Sequence, residues 1–160
     1  MKYYLDTEFN EMGGQLISLA LVPHDGGREL YLSTPCADAV PWVKENVLPI
    51  IRVTGAEPIE VVPDMIGDCI AGYLHRDINP TIIADWPDDI SYFCEAIVTG
   101  PGKMVNIPRL VFELARVDAY PSRLAGAVQH NALWDARALR ALFVKPHGAD
   151  RRLPPGVHVA

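Results

Sequence analysis

The most informative segment of this chain of 160 residues lies near its start and reads Tyr3-Tyr4-Leu5-Asp6-Thr7-Glu8-Phe9. Residues 2–6 are rich in β-forming side chains, which predicts a strand. Because side chains alternate between the two faces of a strand, Asp6 and Glu8 project to the same side. Two carboxylates so placed can share one divalent cation, although such a pair by itself is more typical of two solvated acids at a strand end.

Two further strand-like runs, 15–22 and 28–33, follow the first, with glycine-rich turns between them. Closely spaced strands with short connections predict an antiparallel meander. Helical spacing then begins near residue 38 and continues to about 50, and a second helix is predicted over about 63–75. The residues of this second helix that we expect to face the core are Met65, Ile66, Cys69, Ile70 and Leu74.

The second half of the chain alternates short strands with helices. The apolar run 81–84 suits a strand buried on both faces, and Pro87 favours the first turn of a helix over 88–98. A strand is predicted over 110–117 and a last helix over 131–143, which Pro146 and Gly148 stop. This order predicts an α/β fold with a mixed five-stranded sheet and helices on both faces. We expect one domain over 1–145 and a C-terminal tail over 146–160.

Composition narrows the class of protein. Three scattered cysteines without a Cys-x-x-Cys pair argue against a disulfide framework and a zinc site, and favour reduced thiols in the cytoplasm. Without a signal-peptide pattern or an apolar run of membrane-spanning length, we expect a cytoplasmic protein that does not enter a membrane. The net charge of -6 is unusual for a protein that binds nucleic acid, since phosphate binding normally shows as a basic patch.

Three more candidate residues lie in the second half of the chain. Asp89 stands four residues after Asp85, near the start of a predicted helix, where an acid is also favoured by the helix dipole. Asp88 is a rival for the same role. His130 and Asp135 form a His-x-x-x-x-Asp spacing that puts the histidine on the loop before the last helix and the acid within its second turn. Each feature alone fits an ordinary helix start.

Taken in order, an Asp-x-Glu on the first strand, an acid after a central strand and a His-x-x-x-x-Asp on the last helix resemble the DEDDh family of 3′-to-5′ exonucleases. The resemblance covers roughly residues 3–143. The segments around Asp6, Ala84-Asp85-Trp86 and His130 to Arg137 are most similar to the small mycobacterial-type exoribonucleases of this family. Many members carry Asn where this chain has Asp85, which leaves substrate contacts there open.

The resemblance implies an RNase H-like fold and two Mg²⁺ or Mn²⁺ ions. It implies that Asp6 bridges both ions, that Glu8 and Asp135 complete one, and that Asp89 holds the other directly or through water. Carboxylates are the hard oxygen ligands that these ions prefer. His130 would take the proton from the attacking water, since an imidazole exchanges protons near neutral pH. The clustered acids would also account for part of the negative net charge, which the two ions would offset locally.

Substrate contacts are expected from Asp85 and from two aromatic residues, Phe9 and Trp86, on which a base can stack. Modest help from cations is expected at Arg109, Arg137 or Arg140, although each also fits a solvated helix-face cation. The expected substrate is the 3′ end of single-stranded RNA, with release of nucleoside monophosphates. Short oligonucleotides or DNA, a catalytically silent nucleic-acid-binding domain, and a homodimeric assembly stay open as alternatives.

Overall fold

A computed structural model describes residues 1–53, 55–107 and 109–144. The predicted tail over 146–160 lies outside these residues, as do the predicted stop signals Pro146 and Gly148. Within them, the chain begins with three strands, β1 (Lys2–Phe9), β2 (Leu16–Pro23) and β3 (Leu30–Ser33). They pair as the predicted antiparallel meander.

The first strand is longer than predicted, because all of Asp6-Thr7-Glu8 stays in the pairing with β2. Asp6 lies opposite Ala20 and Glu8 opposite Ser18, and the register shifts only between Glu8 and Phe9. Both carboxylates therefore lie on one face of a fixed strand, rather than on a loose strand end.

The middle of the chain forms short helices. Helix α1 covers Pro41–Asn46 and leads into a 3-10 turn, Leu48–Ile50. A short strand, β4 (Ile59–Glu60), then precedes α2 (Ile66–Leu74). The predicted second helix starts as a separate 3-10 turn over Pro63–Met65.

The second half alternates as predicted, with one addition. Strand β5 (Thr81–Ala84) leads into α3 (Pro87–Ile97), and β8 (Val111–Leu114) precedes α4 (Ala132–Phe143). Between α3 and β8, the strands β6 and β7 pair as a small separate hairpin. Their bounds are Val98–Gly100 and Lys103–Met104.

The main sheet has six strands in the order β4-β3-β2-β1-β5-β8, so the predicted number of five is wrong. The sixth strand, β4, uses backbone hydrogen bonds to extend the β3 edge in parallel, and both of its side chains are exposed. A two-residue strand without a buried face leaves no apolar pattern in the sequence. β5 runs parallel to β1, and β8 runs parallel to β5, which makes the sheet mixed.

Helices cover both faces of the sheet, as predicted. Leu5 of β1 belongs to a core cluster with Ile70 of α2 and Phe93 of α3. Its neighbour Tyr4 points to the opposite face, into a second cluster with Leu139 of α4. The strands are thus buried on both sides, which fixes which face of β1 carries each side chain. None of the described helices has the length and apolar character needed to cross a membrane.

Candidate metal centre

The predicted acids meet beyond the carboxyl end of β5, beside the last residues of β1. The last parallel pair is Tyr4 with Ile83, so β1 continues beyond β5 through Asp6 and Glu8. The first turn of α3 begins at the same edge, and so does the chain that enters α4. Open sheets of this kind bind ligands outside the carboxyl ends of parallel strands. The topology therefore gathers residues from four distant parts of the chain at one edge.

Two groups of carboxylates lie at this edge, and Asp6 belongs to both. Oxygen atoms of Asp6, Glu8 and Asp135 all lie within 4.8 Å of one another. Oxygen atoms of Asp6, Asp85 and Asp89 meet the same limit. A set made only of carboxylates suits Mg²⁺ or Mn²⁺ rather than zinc, so the donor chemistry fits the expected ions.

Asp89 is held in place by Thr7, the residue between the two strand acids. The Thr7 backbone N–H donates to Asp89 Oδ1 at 3.0 Å, and the Thr7 hydroxyl donates to the same oxygen at 2.6 Å. Asp89 is only 3% exposed. Its rival Asp88 instead accepts a hydrogen bond from the Trp86 indole at 2.8 Å. The contacts therefore favour Asp89 as the acid of this helix that faces the site.

Asp135 is fixed by the start of α4. The backbone N–H of Asn131 donates to Asp135 Oδ2 at 3.1 Å. Asn131 caps the helix, because its side-chain oxygen accepts from the Trp134 backbone N–H. Its amide group also donates to the carbonyl oxygens of Ile50 and Ile51, at 2.8 and 3.2 Å. The acid thus projects from a helix end that is tied to the chain following α1.

His130 lies next to this cap in an uncommon backbone conformation. Its φ is 62°, in the left-handed region, where a residue with a side chain is strained by about 1–3 kcal/mol. Its ring contacts the ring of Trp42 edge to face, with centroids 5.1 Å apart. The histidine is half-buried and borders the same pocket as the acids. The strained backbone is consistent with a side chain that is held toward a functional site.

The pocket has a volume of about 350 Å³. All five predicted catalytic residues line it, namely four acids and His130, together with two aromatic side chains. The lining residues are Asp6, Thr7, Glu8, Phe9, Trp86, Asp89, Gln129, His130 and Asp135.

The pocket disfavours ionisation of all four of its acids at the same time. Burial, together with repulsion from Asp89 and Asp135, raises the pKa of Asp6 well above its ordinary value. Burial is also the main cause that raises the pKa of Glu8 to about 8 and the pKa values of Asp89 and Asp135 to about 7. At neutral pH this cluster therefore requires bound protons or cations to offset its charge.

The residues predicted to contact the substrate differ in their exposure and in whether they line the pocket. Trp86 lines the pocket and is 51% exposed, whereas one face of Phe9 is covered by Tyr92, with ring centroids 4.5 Å apart. Asp85 belongs to one of the carboxylate groups, so it is a candidate ligand as well as a substrate contact. Arg109 is exposed and is not among the described residues that line the pocket, so its role stays a prediction.

The other predicted cations are engaged elsewhere. Arg137 forms an ion pair with Glu29 at 2.6 Å, and Arg140 donates to the carbonyl oxygen of His24. Among the described residues, a cation that does lie near the site is Arg116, which the sequence pattern did not single out. Its guanidinium donates to the carbonyl oxygen of Asp85 at 2.6 Å. Only the parallel pairing of β5 with β8 brings these two residues together.

Comparison with known proteins adds no assignment. No protein-family model matches the chain, and no curated protein matches it. A fold by itself does not define an activity, so the functional argument depends on the residues of the pocket and their chemistry.

Proposed function

We propose that this chain is a two-metal 3′-to-5′ exoribonuclease with an RNase H-like fold. The observation that carries the proposal is the position of Asp6, which shares close oxygen–oxygen distances with two separate groups of acids. One carboxylate between two ligand sets is what a pair of neighbouring ions requires. The proposed reaction is hydrolysis of the phosphodiester bond at an RNA 3′ end, with release of a nucleoside monophosphate.

The sheet order supports the fold assignment. Apart from the short β4, the sheet consists of an antiparallel meander followed by two parallel strands, in the order β3-β2-β1-β5-β8. Helices pack on both of its faces. This is the mixed five-stranded arrangement that the RNase H-like resemblance implies.

The pocket residues divide into ligands and a proton acceptor. Asp6, Glu8 and Asp135 would hold one ion, and Asp6, Asp89 and Asp85 would hold the other. When bound, the two ions supply a nucleophile at neutral pH and stabilise the leaving oxygen. His130 lines the same pocket and would accept the proton of the attacking water. The acids thus bind and orient, and the histidine moves a proton.

The test is metal-dependent release of mononucleotides from a 3′-labelled RNA oligomer. We expect release with Mn²⁺, none with EDTA, and slower release from a matched DNA oligomer. Asp6→Asn should lower the rate at least about 100-fold, because both ligand groups lose a charged member. Asp68→Asn, at an exposed position of α2, is the matched control and should keep the wild-type rate. Equal rates for wild type and Asp6→Asn would refute the proposal.

A further inference from the structure

An exposed tryptophan and an arginine lie together beside the acids. Trp86 is 51% exposed, although it borders the pocket and directly precedes α3. The guanidinium carbon of Arg116 lies 4.5 Å from the centroid of its ring. We call these two side chains the Trp86–Arg116 platform.

Both members of the platform are held in place. The Trp86 indole N–H donates to Asp88 Oδ2 at 2.8 Å, which fixes the ring in its plane. Arg116 donates to the carbonyl oxygen of Asp85 at 2.6 Å, so the guanidinium is anchored to the chain that enters the site. A side chain restrained in this way loses less conformational freedom when it binds a ligand.

Arg116 and Trp86 keep hydrogen-bond donors and apolar surface that their contacts with the described residues do not use. A guanidinium has five N–H donors, and the described residues give Arg116 one hydrogen-bond acceptor and no ion-pair partner. Half of the indole surface remains in solvent, where an apolar ring gains nothing from packing. A cation beside a cluster of acids is also suited to the negative charge that a nucleic-acid substrate brings into that cluster.

We infer that the platform binds one nucleotide of a single-stranded substrate next to the metal centre. The base stacks on Trp86, and Arg116 contacts a phosphate of the same strand. This inference rests on the proposed nuclease function and extends it to the form of the substrate. Stacking does not depend on base identity but requires an unpaired base, so the platform selects single strands over duplexes.

The test compares kinetics and binding of one 3′-labelled single-stranded RNA hexamer. With Mn²⁺, Trp86→Leu should raise KM roughly 5- to 100-fold while kcat changes less than about twofold, because base stacking contributes about 1–3 kcal/mol. Trp86→Phe should recover most of the loss. Arg116→Gln should raise KM several-fold and reduce the slope of log affinity against log salt by about 0.7, the value for one single-strand phosphate contact.

Arg76→Gln is the matched control, since Arg76 is exposed and lines a different pocket near Tyr3. It removes the same charge and should leave KM and the salt slope unchanged. Wild-type KM values in both Trp86→Leu and Arg116→Gln would overturn the platform. It would also be overturned if Arg76→Gln lowered the salt slope as much as Arg116→Gln does.

Binding of the hexamer in Ca²⁺ separates the two proposals, because it requires no turnover. An active enzyme whose variants bind like wild type would overturn the platform and leave the nuclease proposal intact. A wild type that binds but never cleaves, with weaker binding in both variants, would support the platform and refute the nuclease. A wild type that does not bind the hexamer would overturn the platform.

Discussion

At the scale of single residues, Thr7 shows how one side chain can orient a neighbouring acid. Both of its donors bind the same oxygen of Asp89, at 3.0 and 2.6 Å, in a buried position. This contact directs Asp89 and leaves its other oxygen for the pocket. Such partners of metal ligands typically change metal affinity about 10- to 100-fold when they are removed.

We therefore predict that Thr7→Val raises the Mn²⁺ concentration for half-maximal activity about 10-fold. Valine has the same shape but lacks the hydroxyl donor. Thr7→Ser, which keeps the donor, should restore the wild-type concentration. Activity measured across a Mn²⁺ titration tests this, and a serine variant as impaired as the valine variant would show that packing, not the hydrogen bond, matters.

The acids of the pocket make stability depend on pH. Their pKa values are raised in the folded protein, to about 7 for Asp89 and Asp135 and to about 8 for Glu8, from ordinary values of about 4. Between about pH 4 and pH 8 the folded state therefore binds more protons than the unfolded state. The contribution of these protonated acids to the free energy of unfolding is thus complete below about pH 4 and is lost as pH rises to about 8.

We predict that the metal-free protein is less stable toward urea at pH 8 than at pH 5. Asp6→Asn should reduce this difference and stabilise the metal-free protein at pH 8, since asparagine carries no charge for burial and the neighbouring acids to oppose. Mn²⁺ at pH 8 should restore stability to the wild type. Urea unfolding with EDTA is the measurement, and a wild type that gains stability from pH 5 to pH 8 would contradict the electrostatic account.

The structure brings the four acids named from the sequence into one pocket, but the sequence did not indicate which residues hydrogen-bond to them. Asp6, Glu8, Asp89 and Asp135 stand at spacings that can be recognised along the chain. The contacts of Thr7 with Asp89 and of Asn131 with Ile50 join residues 82 and 81 positions apart. Threonine and asparagine have many ordinary roles, so only the folded chain shows which of them support the site.

At the scale of elements, the start of α4 is the point where the site is connected to the chain that follows α1. Asn131 is fully buried and connects the helix to the end of the 3-10 turn after α1 through two amide donors. It also caps the helix through its side-chain oxygen. His130 and Asp135 therefore depend on one residue for their position.

We predict that Asn131→Ala destabilises the protein by about 2–4 kcal/mol, because it removes the cap and leaves two carbonyl oxygens without a donor. Asn131→Asp keeps the cap but sets a buried carboxylate against the same two carbonyl oxygens, so it should be at least as destabilising as alanine. Thermal and urea unfolding test the order of the three proteins. An alanine variant as stable as wild type would show that the hydrogen bonds of Asn131 contribute little to the free energy of unfolding.

Element boundaries were predicted less well than element types. Met65 was expected to face the core, but it ends a 3-10 turn before α2 and is 46% exposed. The tighter turn shifts the phase of the helix relative to the spacing that the sequence suggests. Ile66, Ile70 and Leu74 are buried as predicted. The strand β4 and the hairpin β6–β7 were missed because two or three residues carry too little pattern.

At the scale of the whole molecule, the order of the sheet explains why one edge carries the site. β1 lies near the centre of the sheet, with β2 antiparallel on one side and β5 parallel on the other. The parallel pairing brings the carboxyl ends of β1 and β5 to one edge, where α3 and α4 add their acids. A net charge of -6 thus includes a local cluster that the fold itself concentrates.

Equilibrium binding of Mn²⁺ in the presence of a nucleoside monophosphate shows whether Asp6 serves two ions at once. Wild type should bind two ions per chain, and Asp135→Asn should weaken one of them. Asp6→Asn should weaken both by at least about tenfold. A wild type that binds fewer than two ions, or an Asp6→Asn variant that keeps both at wild-type affinity, would contradict the account.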